Sequence, residues 1–497
     1  MAKYVMGIDQ GTTGTKVIVF DQEANIISTA YSEFTQYFPQ PGWVEHDANE
    51  IYEVSMRVAK ECLESGHIDP NDIAAIGITN QRETTVFWDK ETGKAVCPSI
   101  VWQDIRTAKR CDELIAKDGP DIMRRTGMVI VTNCGAPKIE WVLKNLPEVK
   151  KGVDEGRIIY GTIDTWMIWK MSGGAAHVTD YSNAGCTLLL NQLTMDYDEK
   201  ILEECSIPRS ILPELRSSCE VYAYTDPKEF FGAKVPISGI AGDQNAATFG
   251  QACVYPGMAK NTYGTGSFMI MNTGEKYVGT NGAVFNANLC GPKGTVQYGI
   301  EGMANVSGAA IQWLRDGLGI IKEASECEQW ANTVEDNGGV YFVPAFNGLG
   351  NPYSDPYARG TIIGITRGTT KAHLCRAALE CMAFQVADAF HGIEEFAGTK
   401  INFLRVDGGG SKNDFLCQFQ ADILGVPVER PVITETTCLG AAYLAGLAVG
   451  YFKSVDEVND NWQVEKRFEP RLTEEQRNEL MENWKRAVER ASGWVKK

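Results

Sequence analysis

The segment that most constrains this chain is a short turn written twice. Asp9-Gln10-Gly11-Thr12-Thr13-Gly14-Thr15 lies between two β-like runs, residues 4–8 and 17–20, and Asn261-Thr262-Tyr263-Gly264-Thr265-Gly266-Ser267 repeats the plan ahead of residues 268–271. Glycine admits φ > 0 and lets a ligand approach the main chain, so successive N–H groups can converge on an anion. Threonine hydroxyls add donors, and a strand-end carboxylate such as Asp9 suits a hydrated Mg²⁺ beside phosphate. One such turn is equally an ordinary hairpin. A third segment, Gly408-Gly409-Gly410-Ser411, also follows a strand-like run and also lacks bulky side chains. Turns of this kind in both halves predict a nucleotide clamped between two related domains.

At 497 residues the chain exceeds what one core organises. Its charge, 47 − 64 = −17, argues against a nucleic-acid or anionic-membrane surface, although backbone amides can still bind phosphate locally. Met1-Ala2-Lys3-Tyr4 leads into a strand without an apolar signal segment. The longest uncharged stretch, 436–452, is too short for a membrane span and reads as a buried helix. Fourteen cysteines form no C-x-x-C pair and five histidines show no metal-ligand spacing, so free thiols in a reducing, cytoplasmic setting are expected.

Strand-like and helical runs alternate throughout, which predicts α/β layers. Residues 73–79 read as a strand ending at Asn80-Gln81-Arg82-Glu83-Thr84, with 85–89 as its antiparallel partner. Residues 158–161 lead into a helix that Asp164 would cap, and 235–241 deliver Gly242-Asp243-Gln244-Asn245 ahead of a helix near Ala246. The second half opens near Cys253 with a hairpin, 258–261 and 268–271; residues 404–406 form a later strand, and 472–497 a closing amphipathic helix. The predicted division is 1–252 and 253–497, with a cleft between the parts.

Asp9 and Asp243 both sit at predicted strand ends beside glycine. Asp caps helices and forms turns; equally, one carboxylate can hold Mg²⁺ while the other accepts a proton from an attacking hydroxyl, as phosphoryl transfer requires. Arg82-Glu83 reads as a solvated turn or as the paired donor and acceptor that a small polyol needs. Trp102 and Phe268 read as core residues or as cover for a carbon skeleton.

These segments resemble the FGGY carbohydrate kinases over essentially the whole chain. The match runs through residues 9–13, Trp43-Val44-Glu45-His46-Asp47, Ile78-Thr79-Asn80-Gln81-Arg82-Glu83-Thr84-Thr85, residues 161–169, 239–244 and 257–266, Ile311-Gln312-Trp313-Leu314-Arg315-Asp316 and Asp355-Pro356-Tyr357-Ala358-Arg359-Gly360; residues 360–380 fit a family signature without departures. The resemblance implies two ribonuclease-H-like domains of the actin-like ATPase type around a nucleotide cleft. It implies ATP-dependent phosphorylation of a terminal hydroxyl, with glycerol as acceptor, ATP and Mg²⁺ as requirements, and a dimer or tetramer. Asp243 matches the general base, and Asp9 and Asp243 the positions near Mg²⁺. Gly11, Thr12, Thr13, Lys16, Gly264, Thr265 and Gly266 match the phosphate side of the nucleotide site; Gly308, Ile311, Gln312, Gly409, Gly410 and Asn413 match its nucleoside side. Arg82, Glu83, Trp102, Asn133, Asp243, Gln244 and Phe268 match the polyol pocket.

Asn133 departs from the pattern, because the glycerol-phosphorylating members have tyrosine there. Asn133-Cys134-Gly135 breaks a second signature whose remainder, Lys138-Ile139-Glu140-Trp141, is kept. A shorter side chain leaves volume that a longer polyol or a ketose could fill, so dihydroxyacetone, erythritol and four- or five-carbon ketoses stay open as acceptors. A non-catalytic nucleotide switch on the same fold is the reading from another class. The loop that binds fructose bisphosphate in some relatives is not recognisable in 224–234, and the histidine phosphorylated in others falls near Glu229, so neither control is expected.

Overall fold

A computed structural model describes residues 3–291, 294–353 and 355–496; Met1, Ala2 and Lys497, which fall in two of the segments read above, lie outside them. Two large sheets organise the chain. The first runs Cys219–Tyr224, Pro236–Gly242, Ile73–Asn80, Tyr4–Gln10, Gly14–Phe20, Ile26–Glu33; the second runs Phe285–Cys290, Val296–Ala304, Ser267–Gly274, Ala259–Tyr263, Leu404–Asp407, Val428–Pro431, Val464–Phe468. Each holds an antiparallel hairpin whose first strand pairs in parallel with a later one. In the first sheet Tyr4–Gln10 pairs with Ile73–Asn80, and in the second Ala259–Tyr263 pairs with Leu404–Asp407. The duplicated turn is therefore the tip of a duplicated hairpin.

Period-two alternation explains the two-sided burial of the first sheet. Met6, Ile8, Val17, Val19, Ile76 and Ile78 face a core shared with helix Ala48–Ser65, while Val5, Ile18 and Ala75 face Leu439, Ala442 and Leu444 on the other side. Burying each such Ile, Val or Leu contributes roughly 1.5–3 kcal/mol. The second face is covered by helix Thr436–Ala448, which comes from the far end of the chain. Glycine makes the approach possible: a Cβ on Gly77 would lie 1.9 Å from the Ala441 carbonyl oxygen, and one on Gly440 would lie 1.9 Å from that of Ala246. The helix thus presses on the sheet and on helix Asp243–Gly250 at once. No helix among the described residues is long and apolar enough to cross a membrane.

Several sequence expectations need correction. Val86–Asp89 does not pair with Ile73–Asn80, whose two edges are already taken by parallel neighbours; it pairs with Ile158–Gly161 and Lys94–Ala95 in a separate small sheet. Asp164 does not cap its helix. Thr162 stands at that position, and the buried Asp164 carboxylate instead accepts from the Thr162 and Thr179 hydroxyls. The helix expected near Ala246 begins at Asp243, and the terminal helix is Glu474–Ala491.

Candidate active site

Three parallel strands of the first sheet end together, with Asp9 opposite Thr79, Gln10 opposite Asn80 and Gly242 opposite Asn80. Their carboxyl ends bring Asp9, the Arg82-Glu83 turn and Asp243 to one edge, the place where open parallel sheets receive ligands. Asp243 is the first residue of its helix, where the helix dipole favours negative charge. Its Oδ1 accepts from the Gln244 N–H at 2.7 Å and lies 3.2 Å from Arg82 Nε, and its side chain is 32% exposed. Burial pushes its pKa up; the Arg82 guanidinium and the Gln244 N–H oppose that.

Asp9 is pushed up to about 7, first by burial and then by the charge of Asp243, against the pull of Lys16. Asp9 with the neighbouring charge of Asp243 offers a hard-oxygen pair suited to a divalent cation. Among the described residues no group of three His, Cys, Asp or Glu side chains could hold a metal ion. Mg²⁺ asks for less: one or two carboxylates, with water and substrate phosphate completing the octahedron. The Asp9 and Asp243 donors fit it on those terms.

Arg82 is almost fully buried. Its Nη1 and Nη2 donate to the two oxygens of Glu301, each at 2.7 Å, and Nη1 also approaches Cys186 Sγ at 3.6 Å. Glu83 holds φ 63°, a left-handed conformation that is costly for a side chain of this size and turns its carboxyl into the interior. Burial pushes Glu83 up and the fully buried Lys138 down, while each one's charge opposes the other's shift. Lys138 Nζ donates to the Asn133 carbonyl oxygen at 2.8 Å, which ties residue 133 to the same cluster.

Trp102 Nε1 donates to Thr12 Oγ1 at 2.9 Å, so the indole lies against the first glycine turn. Phe268 and Trp102 are both half-buried, which leaves aromatic surface open, unlike the core tryptophans Trp88, Trp166 and Trp484. Gln244 accepts from Lys260 Nζ, which also donates to Thr262 Oγ1 at 3.0 Å and the Phe268 carbonyl at 3.4 Å. Lys16 Nζ meets Glu435 Oε2 at 2.6 Å.

The turns of the second half converge as well. Ser307 N and Ala309 N donate to the Thr265 carbonyl at 2.8 and 3.2 Å, and Gly308 N donates to that of Gly264 at 3.0 Å. Gly408, at φ 79°, passes so close that a Cβ would lie 2.5 Å from the Tyr263 carbonyl oxygen, while Gly409 faces open space. The Ile311 side chain packs in the core, Gln312 is exposed, and Asn413 caps helix Asp414–Leu424 through Leu416 N at 2.8 Å. Sequence reasoning missed Glu301, Lys260 and Glu435. For Glu301 and Lys260 the available signal was a charge inside a strand-like run.

The family model for the N-terminal domain of the FGGY family of carbohydrate kinases matches residues 4–250, and that for its C-terminal domain matches residues 259–449. "Glycerol kinase 2" of Thermotoga maritima is 54% identical over 496 residues, and "Glycerol kinase" of Caldanaerobacter subterraneus subsp. tengcongensis is 53% identical over 496; each alignment covers 100% of both chains. Among solved structures, that of Plasmodium falciparum glycerol kinase with ADP superposes with a TM-score of 0.92 at 35% identity, covering 98% of each chain. The two sheets are thus the two domains of an actin-like, ribonuclease-H-like kinase fold, and the chain belongs to the FGGY family of carbohydrate kinases.

Proposed function

We propose that this protein transfers the γ-phosphoryl group of ATP to a terminal hydroxyl of glycerol, giving glycerol 3-phosphate and ADP. The observation that carries this reading is Asp243: a partly exposed carboxylate at a helix start, oriented by Gln244 N–H and Arg82, with its proton affinity raised by burial. That is the state a general base needs. Asp243 takes the hydroxyl proton as the substrate oxygen attacks the γ-phosphorus. Arg82, Glu83 and Gln244 bind hydroxyls, and Trp102 and Phe268 cover the carbon skeleton. Gly11, Thr12, Thr13, Lys16, Gly264, Thr265 and Gly266 receive the phosphates; Gly308, Ile311, Gln312, Gly409, Gly410 and Asn413 form the nucleoside side, Ile311 through its backbone. Asp9 and Asp243 would hold Mg²⁺, which when bound neutralises charge on the transferring group.

A division at residue 252, a cytoplasmic location and a dimer or tetramer belong to the same proposal. One family-model span ends at 250 and the next begins at 259, on either side of that residue, and sedimentation equilibrium measures the assembly.

Asn133 supports a second reading. Its carbonyl is tethered to Lys138 beside Glu83, and its side chain is shorter than tyrosine, which leaves room for a longer polyol or a ketose. One lost hydrogen bond costs about 0.5–1.5 kcal/mol, so glycerol binding weakens by about tenfold at most. Coupled ADP release with glycerol, dihydroxyacetone, erythritol, D-ribulose and D-xylulose against Mg-ATP separates the readings. Glycerol with the highest kcat/KM supports the first; another acceptor ahead by about tenfold supports the second. ADP release indifferent to all five would indicate a nucleotide switch.

A further inference from the structure

Glu301 is fully buried in strand Val296–Ala304, next to the edge strand Phe285–Cys290 of the second sheet, yet its carboxylate is spent on a residue of the first half. Both oxygens meet Arg82 in a parallel fork at 2.7 Å, across 219 residues of sequence. A guanidinium has five N–H donors. Two go to Glu301 and a second Nη1 donor goes to Cys186 Sγ, while Nε lies at ion-pair distance, 3.2 Å, from Asp243 Oδ1. The Nε N–H and one Nη2 N–H are then left without a hydrogen-bond partner among the described residues.

We propose that Glu301 is a positioning residue for the acceptor: it clamps Arg82 across the boundary between the two halves, so that the guanidinium keeps its Nε beside Asp243 and turns its free Nη2 N–H toward a substrate hydroxyl. The inference rests on the reading of Arg82 and Asp243 given above. It makes the acceptor pocket complete only when the second sheet lies against the first, because Arg82 without Glu301 has an open choice between Asp243 and Glu83. As a device for stability alone the pair would be a poor one, since two buried charges are usually matched or bettered by apolar residues of the same volume. As a device for geometry it has the planar, two-point contact that fixes a guanidinium in one orientation.

The test compares the parent enzyme with Glu301→Gln and Glu301→Asp, measuring kcat and KM for glycerol in ADP release and the affinity for a non-hydrolysable ATP analogue. Glu301→Gln is expected to lower kcat/KM for glycerol by about a hundredfold, the cost of a small misplacement of a reacting group. Its nucleotide affinity should stay within about twofold of the parent. Glu301→Asp keeps the charge and the two-oxygen contact at shorter reach, so it should recover part of that loss and stand about tenfold below the parent in kcat/KM. If Glu301→Gln does not fold, Glu301→Asp decides: that tenfold loss at unchanged nucleotide affinity supports the inference, and parental kcat/KM overturns it. A Glu301→Gln enzyme with parental kcat/KM, or one whose nucleotide affinity falls in step with kcat/KM, also overturns it. A parent that releases no ADP with glycerol defeats the reading of the site itself, whereas an active parent matched by its variants defeats this inference alone.

Discussion

At Asp9 the native fold holds a carboxyl that would rather be neutral, pushed up to about 7 by burial and by Asp243 from the ordinary 3.8. The sign of the consequence follows from linkage. Between those values the folded state binds the proton and the unfolded state has lost it, so stability falls as pH rises through this window and the penalty is complete above it. Without Mg²⁺ and nucleotide, Asp9→Asn should melt at a higher temperature than the parent at about pH 8, and the two should converge near pH 4. Thermal melts at both pH values check this. Asn133→Tyr adds a hydroxyl and a ring to the pocket, and on the glycerol reading it should lower the glycerol KM by about tenfold at little cost to kcat. Steady-state kinetics check that. At this scale the positions of Asp9 and Asp243 at strand ends near glycine, and of Arg82-Glu83 in the turn after a strand, were legible from the local sequence. Glu301 was not: its meaning lies in a partner 219 residues away, which no local pattern records.

Among the elements, the hairpins and their glycine tips could be read from period-two runs punctuated by turn residues, and both hairpins are present at Tyr4–Phe20 and Ala259–Gly274. Strand pairing was less legible. Residues 85–89 follow 73–79 closely enough to suggest a hairpin, but Ile73–Asn80 already has parallel strands on both edges, and Val86–Asp89 turns away to Ile158–Gly161. The docking of helix Thr436–Ala448 was invisible as well, since an evenly apolar helix shows burial without showing against what. Its contact makes a sharp prediction. Gly440→Ala places a methyl 1.9 Å from the Ala246 carbonyl, where backbone must move. Overpacking of this kind costs about 1–3 kcal/mol, measurable by urea unfolding, and because the displaced neighbour is the helix that begins at Asp243, kcat should fall with it. Unchanged stability and kcat would remove the helix from the account.

At the scale of the whole molecule, ion pairs join the halves: Arg82 with Glu301 deep inside and Lys16 with Glu435 at the more open edge. The duplicated plan was legible from the duplicated turn; this stitching was not, because it depends on how the two sheets face each other. Neither the fructose-bisphosphate loop nor the phosphorylated histidine of some relatives is expected in this sequence, and near the place expected for the latter Glu229 accepts from the Tyr52 hydroxyl at 2.8 Å. Fructose 1,6-bisphosphate should therefore leave both the rate and the sedimentation profile unchanged; a clear response in either would show a control site that this account lacks.

The central claim is that Asp243 is the base for phosphoryl transfer in a cleft whose nucleotide site stands without it. Its most direct test is Asp243→Asn, with glycerol-dependent ADP release and affinity for an ATP analogue measured on the same preparation. The account predicts a fall in kcat of about 10²–10⁴ with the analogue still bound at near-parental affinity. A variant that keeps parental kcat would contradict it.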